Sequence, residues 1–118
     1  MTAAGTEKLR IEILNKVHSN GNFPDNHGRD EEKFFDTTWP ALRELGFLGF
    51  LISKENGGWG LTALEYVTAL EAIAEIDPMA AYVVNEHSTI GGLGVSTSGS
   101  RSQKDKYLDK LASGEMLA

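Results

Sequence analysis

Apolar residues recur at helical spacing from the first turns of the chain. Leu9, Ile13 and Val17 stand at i, i+4 and i+8, with Leu14 beside them, while Glu7, Lys8, Arg10, Glu12 and Lys16 fill the other side. This pattern predicts an amphipathic helix over residues 6–19. Asn20-Gly21-Asn22 stops it, because Gly and Asn tolerate the left-handed conformation at a helix end. Residues 1–5 are expected to form a frayed tail. Residues 20–36, rich in Asn, Gly, Pro and Asp, are expected to form a polar loop, with a short helical turn at Glu31–Phe35 that places Phe34 or Phe35 inward.

Thr38-Trp39-Pro40 predicts a second helix start, with Thr38 as cap and Pro40 in the first turn. Leu42 and Leu45 face inward and Gly46 ends the helix. The apolar run over 45–52 fits a buried strand or an extended core-filling segment; no partner strand is found elsewhere, which favours the second. Gly57-Gly58-Trp59-Gly60 reads as a turn, and Thr62 with Glu65 forms a capping box. The helix it opens carries Leu61, Leu64, Val67, Leu70, Ile73 and Ala74 on one stripe and ends near Ile76.

Asp77-Pro78 opens a fourth helix whose residues 79–84 are apolar around most of its girth, the mark of a centrally buried helix. Residues 90–99, rich in Gly and Ser, either extend it, with Gly92 and Gly94 as positions of close approach, or form its frayed end. A second capping box at Ser100 and Gln103 opens the last helix, which buries Tyr107, Leu108, Leu111 and Ala112 and stops at Gly114. The expected fold is all-α: a single bundle-like domain over residues 1–118 with four to six helices.

Composition narrows the chemistry. The chain has 118 residues and no cysteine, which excludes disulfides, thiolate metal sites and cysteine nucleophiles. Eleven Lys+Arg against 17 Asp+Glu give a net charge of −6, a poor match to nucleic acid or an anionic membrane. No apolar run reaches the roughly 18 residues of a membrane span, and the first residues lack the pattern of a secretory signal. The expectation is a soluble cytoplasmic protein. His18, His27 and His87 match no metal-binding spacing and are read as solvated or locally bonded. The glycine-rich turn lacks the Gly-Lys-Ser/Thr of a phosphate loop, and no serine stands in a Gly-x-Ser-x-Gly context.

Four pieces of the chain, in order, resemble the N-terminal helical domain of the acyl-CoA dehydrogenase family. They are Trp39 to Gly49 (WPALRELGFLG), Glu55 to Leu61 (ENGGWGL), Leu70 to Asp77 (LEAIAEID), and Gly99 through the Gln103-Lys104-x-x-Tyr107-Leu108 helix to Ser113-Gly114-Glu115. The last piece is the most specific. The resemblance covers residues 36–118 well and the first helix loosely.

The resemblance implies that the family's β-domain, its C-terminal helical domain, its catalytic glutamate and its flavin adenine dinucleotide (FAD) site all lie beyond these residues. FAD is expected in the full-length or assembled enzyme, and no catalytic residue or cofactor ligand is expected here. The family's N-terminal domain contributes a wall of the acyl-thioester cavity, and the match puts the helix after Asp77-Pro78 on that wall. Tyr82, Val83, Glu86 and Ile90 fall on one helical face and are the candidate substrate-binding residues. Two plainer roles stay open: Tyr82, Val83 and Ile90 as core packing, and Glu86 as a paired or solvated carboxylate.

Other functions also stay open. One is a non-enzymatic helical interaction module or subunit that keeps the fold. Another is the matching domain of an acyl-CoA oxidase, an acyl-carrier-protein dehydrogenase or a flavin monooxygenase. The expected partners are an acyl thioester and the missing domains or a complementary chain, in a homo- or hetero-oligomer. If other domains cover it, the face of Glu86 and Ile90 should expose apolar surface; in a stand-alone module it should be polar or buried in a dimer.

Overall fold

The computed structural model describes residues 3–20 and 33–117. The α-helices are α1 (Ala3–Ser19), α2 (Trp39–Leu45), α3 (Ala63–Ile76), α4 (Pro78–Glu86), α5 (Gly94–Ser98) and α6 (Arg101–Ser113). No strand occurs among the described residues. The helices lie in a slab with principal extents of 39 × 39 × 18 Å. That thickness suits two layers of helices at the usual 8–10 Å spacing.

Helix α1 packs on α3 with Leu9, Ile13 and Val17 buried, as the periodicity predicts. It begins at Ala3, inside the stretch expected to be a tail. The expected loop falls largely on residues 21–32, outside the described residues, as does the Glu31 end of its helical turn. From Lys33 onward the chain is already helical: a π-helical turn, Phe34–Thr38, runs straight into α2. Phe34 is buried and Phe35 exposed.

Thr38 is therefore no cap. It is helical, wholly buried, and its hydroxyl has no partner among the described residues. The wide turn has a local cause in Pro40. A proline ring crowds the carbonyl four residues back and supplies no N–H, and here the Trp39 N–H reaches Phe34, five residues back.

The apolar run after α2 is neither strand nor extended. Gly46 stops α2 with φ 78°, Phe47–Gly49 forms a 3₁₀ turn, and Phe47, Leu48, Phe50 and Ile52 are buried. With no strand to pair with, the segment meets its backbone needs by folding on the glycine turn that follows. The amides of Gly57, Gly58, Trp59 and Gly60 donate to the carbonyls of Lys54, Ser53, Gly49 and Ile52. Trp59 then lies edge-on against Phe47 and Phe50, with ring centroids 6.1 and 4.9 Å apart.

The stripe expected on α3 splits. Its core face is Tyr66, Ala69, Ala72 and Ile73, whereas Leu64 and Val67 are 53% and 50% exposed. Both capping boxes form, at Thr62/Glu65 and Ser100/Gln103. Asp77 caps α4 through Met79 and Ala80, and Gly114 ends α6 with φ 78°.

Two neighbouring glycines separate steric from torsional demand. A Cβ on Gly58 would stand 2.0 Å from the Ile52 carbonyl oxygen, whereas one on Gly57 would meet nothing, at φ 88°. Gly58→Ala is expected to destabilise the protein by about 3 kcal/mol or more, and Gly57→Ala by about 1 kcal/mol. Urea unfolding of both variants checks this; equal losses would refute the backbone contact at Gly58.

Candidate functional site

The four residues singled out in the sequence all sit on one continuous helical rod. Helix α4 runs through a π-helical segment, His87–Leu93, into α5 without a break. The inner side of the rod is made of Ala80, Ala81, Val84, His87, Ser88, Gly91 and Gly92, all buried. The outer side is apolar but uncovered: Tyr82 is 61% and Ile90 69% exposed, with Met79 and Leu93 exposed as well.

Tyr82 and Ile90 are thus not core residues. Val83 is, in part, for it packs against the main core cluster and leaves the other three. Glu86 is half-exposed between Tyr82 and Ile90 and forms no ion pair among the described residues. The central burial expected for α4 is therefore one-sided.

Beside this face, α3 and α4 enclose a shallow groove of about 290 Å³. Val67, Leu70, Ala74, Pro78, Ala81 and Tyr82 line it, and Glu71 and Asn85 bring the polar atoms. Asn85 is pinned, since the Tyr66 hydroxyl donates to its side-chain oxygen at 2.8 Å and the Thr89 hydroxyl to its backbone carbonyl at 2.7 Å. Burial pushes the Tyr66 phenol above its usual pKa, offset in part by nearby Ser88. Ser88 Oγ itself lacks an aligned hydrogen bond.

Of the two states the sequence allows His87, solvated or locally bonded, it takes the second and has no exposed surface. Its Nε2–H donates to the Leu111 carbonyl at 2.7 Å, and its ring meets Trp39 edge-on at 5.8 Å. One signal in the chain pointed to it: His87 continues the inward series of Ala80 and Val84 at helical spacing. Glu86 and His87 face different ways, and so form no dyad. His18 is exposed, and His27 lies outside the described residues.

Of the two glycines expected at close approaches, Gly92 is at one. A Cβ there would stand 3.1 Å from the Ile52 side chain, whereas at Gly94 the nearest atom would be 3.8 Å away. The glycine turn at 57–60 does not fit a phosphate or dinucleotide cradle, because all four of its amides are committed to backbone carbonyls. Among the described residues no His/Asp/Glu group is set to hold a metal, and no helix is long and apolar enough to cross a membrane.

The family profile described as acyl-CoA dehydrogenase, N-terminal domain, matches residues 20–115. The chain belongs to the acyl-CoA dehydrogenase family. It is 40% identical over 83 residues to the very long-chain specific acyl-CoA dehydrogenase, mitochondrial, of Homo sapiens, covering 70% of this chain and 13% of that protein. It is 35% identical over 79 residues to the isovaleryl-CoA dehydrogenase, mitochondrial, of Bos taurus, covering 67% and 18%. It is 28% identical over 88 residues to the short-chain specific acyl-CoA dehydrogenase of Clostridium acetobutylicum, covering 75% and 23%. The chain therefore spans less than a quarter of these relatives' lengths, and the all-α fold agrees with an N-terminal domain of the family.

Burial holds the His87 pKa below its ordinary 6.5, and the bond to the Leu111 carbonyl pulls it partly back. Below pH 6.5 the unfolded chain takes up a proton that the folded chain refuses, so stability falls as pH falls through that value. The urea midpoint is expected to drop between pH 7.5 and 5.5, and to drop less in His87→Gln. An equal drop in the variant would assign the loss to other groups.

Proposed function

We propose that this domain forms one wall of the acyl-thioester pocket of an FAD-dependent acyl-CoA dehydrogenase, which oxidises the α,β carbon–carbon bond of its substrate. The observation that carries this is the uncovered apolar side of the rod. Tyr82, Ile90 and Leu93 stand in water on a helix whose other side is fully packed. Exposure of that kind on a small domain marks a surface meant to be covered.

Its work in catalysis is to bind, orient and exclude water. An acyl chain has no polar handle, so apolar walls hold it by removing its surface from water, about 0.8 kcal/mol per buried methylene. A wall on a packed helix also holds the chain at a fixed place relative to the reacting carbons. Tyr82 and Ile90 are the contact residues and Glu86 sits between them; Val83 supports the helix from the core side. In this reading the proton-abstracting group and the flavin belong to the rest of the assembled enzyme, as the family resemblance implies. Glu86 is a cavity-edge carboxylate in this scheme, not the base.

The substrate we propose is a long linear acyl thioester. The relatives of 36–40% identity are named very long-chain specific, against 35% for isovaleryl-CoA dehydrogenase and 28% for a short-chain enzyme. The compartment belongs to the proposal too: cytoplasmic was expected, while two of the relatives above are named mitochondrial. Cell fractionation decides between these.

In the assembled enzyme, Ile90→Trp is expected to raise KM for hexadecanoyl-CoA about tenfold with kcat little changed. Glu86→Gln is expected to shift chain-length preference by less than about tenfold. Loss of all turnover in Glu86→Gln would instead make that carboxylate catalytic. Titrated into the 118-residue chain, FAD is expected to keep its fluorescence; a stoichiometric quench would contradict this assignment.

A further inference from the structure

Resting on that acyl-wall reading, we infer that His87 is a positioning residue for the wall: its ring, wedged between α2 and α6, holds the π turn that presents Ile90. The π segment begins at His87, directly after Glu86. A π turn is a rare widening of the helix and is kept only where outside contacts favour it. Here those contacts come from three directions.

His87 Nε2–H donates to the Leu111 carbonyl at 2.7 Å. That carbonyl lies in the last turn of α6, where carbonyls lack helical donors, and its other partner is the Gly114 amide at 3.3 Å. The same ring meets Trp39 of α2 edge-on. One side chain thus ties the rod to two other helices.

Further on, Gly92 rests against Ile52, with no room for a side chain to spare. From the third direction Tyr66 of α3 holds Asn85, and within the rod the Thr89 hydroxyl takes up the Asn85 carbonyl. The free side is the one that carries Ile90 and Leu93. Closing the π turn to ordinary α geometry would wind each of its seven residues more tightly about the axis. Ile90, the fourth of them, would turn relative to α4 and shift its place on the uncovered face. His87 touches no reacting atom in this scheme; it sets where Ile90 points.

The test pairs His87→Leu, which keeps bulk without a donor, with His87→Gln, which keeps an amide donor of similar reach. Amide hydrogen exchange is read on the 118-residue chain, and KM and kcat for butanoyl- and hexadecanoyl-CoA on the assembled enzyme. His87→Leu is expected to speed exchange at residues 88–93 at least about tenfold relative to α1 and α3. It is expected to change the ratio of the two KM values about fivefold with kcat within about twofold, and His87→Gln to restore both. Unchanged exchange, an unchanged ratio, or a Gln variant that behaves like Leu overturns the inference.

Ile90→Ala separates the two levels. If it moves the KM ratio while His87→Leu does not, only the positioning role fails. If neither moves it, the acyl wall fails with it. Nitrogen NMR of the unaltered chain gives a readout that no misfolded variant can cloud. The His87 ring is expected as the Nε2–H tautomer with a slowly exchanging proton, and an Nδ1–H tautomer refutes the tie to Leu111.

Discussion

Apart from Val84 and His87, the inward side chains of the Pro78–Ser98 rod are small, and the close packing of the domain follows from that. Ala80, Ala81, Ser88, Gly91 and Gly92 are buried there, so the rod's backbone can lie close to its neighbours. Gly92 shows the closeness directly, since a Cβ there would stand 3.1 Å from the Ile52 side chain. Large side chains at these positions would separate the rod from the core, and dispersion contacts are lost steeply with a gap of even an ångström. Ile52 in turn belongs to the small cluster with Leu108, Leu111 and Ala112, so the rod, the folded loop and α6 form one packed unit. Gly49, beneath Ala112 and Gly58, lets the loop approach α6 in the same way.

Within that unit, polar groups set the register that apolar contacts leave loose. Hydrophobic contact is nearly indifferent to a small rotation of a helix, whereas a hydrogen bond is not. Tyr66 to Asn85 fixes α4 against α3, and His87 to Leu111 fixes the π turn against α6. Each bond adds only about 1 kcal/mol net, but leaving either partner buried and unmatched costs about 1–3 kcal/mol. The cost of a wrong register exceeds the gain of the right one, and that asymmetry gives the wall a defined position. The buried Thr38 and Ser88 hydroxyls and one Asp77 oxygen lack an aligned hydrogen bond among the described residues and set a cost against the native packing itself.

What the domain offers outward follows from the same one-sided packing. Leu64 and Val67 on α3 and Met79, Tyr82, Ile90 and Leu93 on the rod are exposed because the core is already filled behind them. The acyl wall proposed for this domain would use that surface.

Helix positions, caps and stops were legible in the chain because they depend on neighbours three or four residues away. Leu9, Ile13 and Val17 on one stripe, the two capping boxes, Asp77-Pro78, Gly46 and Gly114 needed no other element to act. The resemblance then pointed to the helix after Asp77-Pro78, and helical spacing to Tyr82, Val83, Glu86 and Ile90, of which Tyr82 and Ile90 are exposed, Glu86 is partly exposed and Val83 packs against the core. The rest was decided by tertiary structure. Whether an apolar stripe such as Leu64 and Val67 is buried depends on what lies opposite, which periodicity does not record. The apolar run over 45–52 folded into turns because no strand was there to pair with it. The π turns at Phe34–Thr38 and His87–Leu93, and with them the role of His87, depend on contacts between residues as far apart as His87 and Leu111, and chain spacing holds no trace of such pairs.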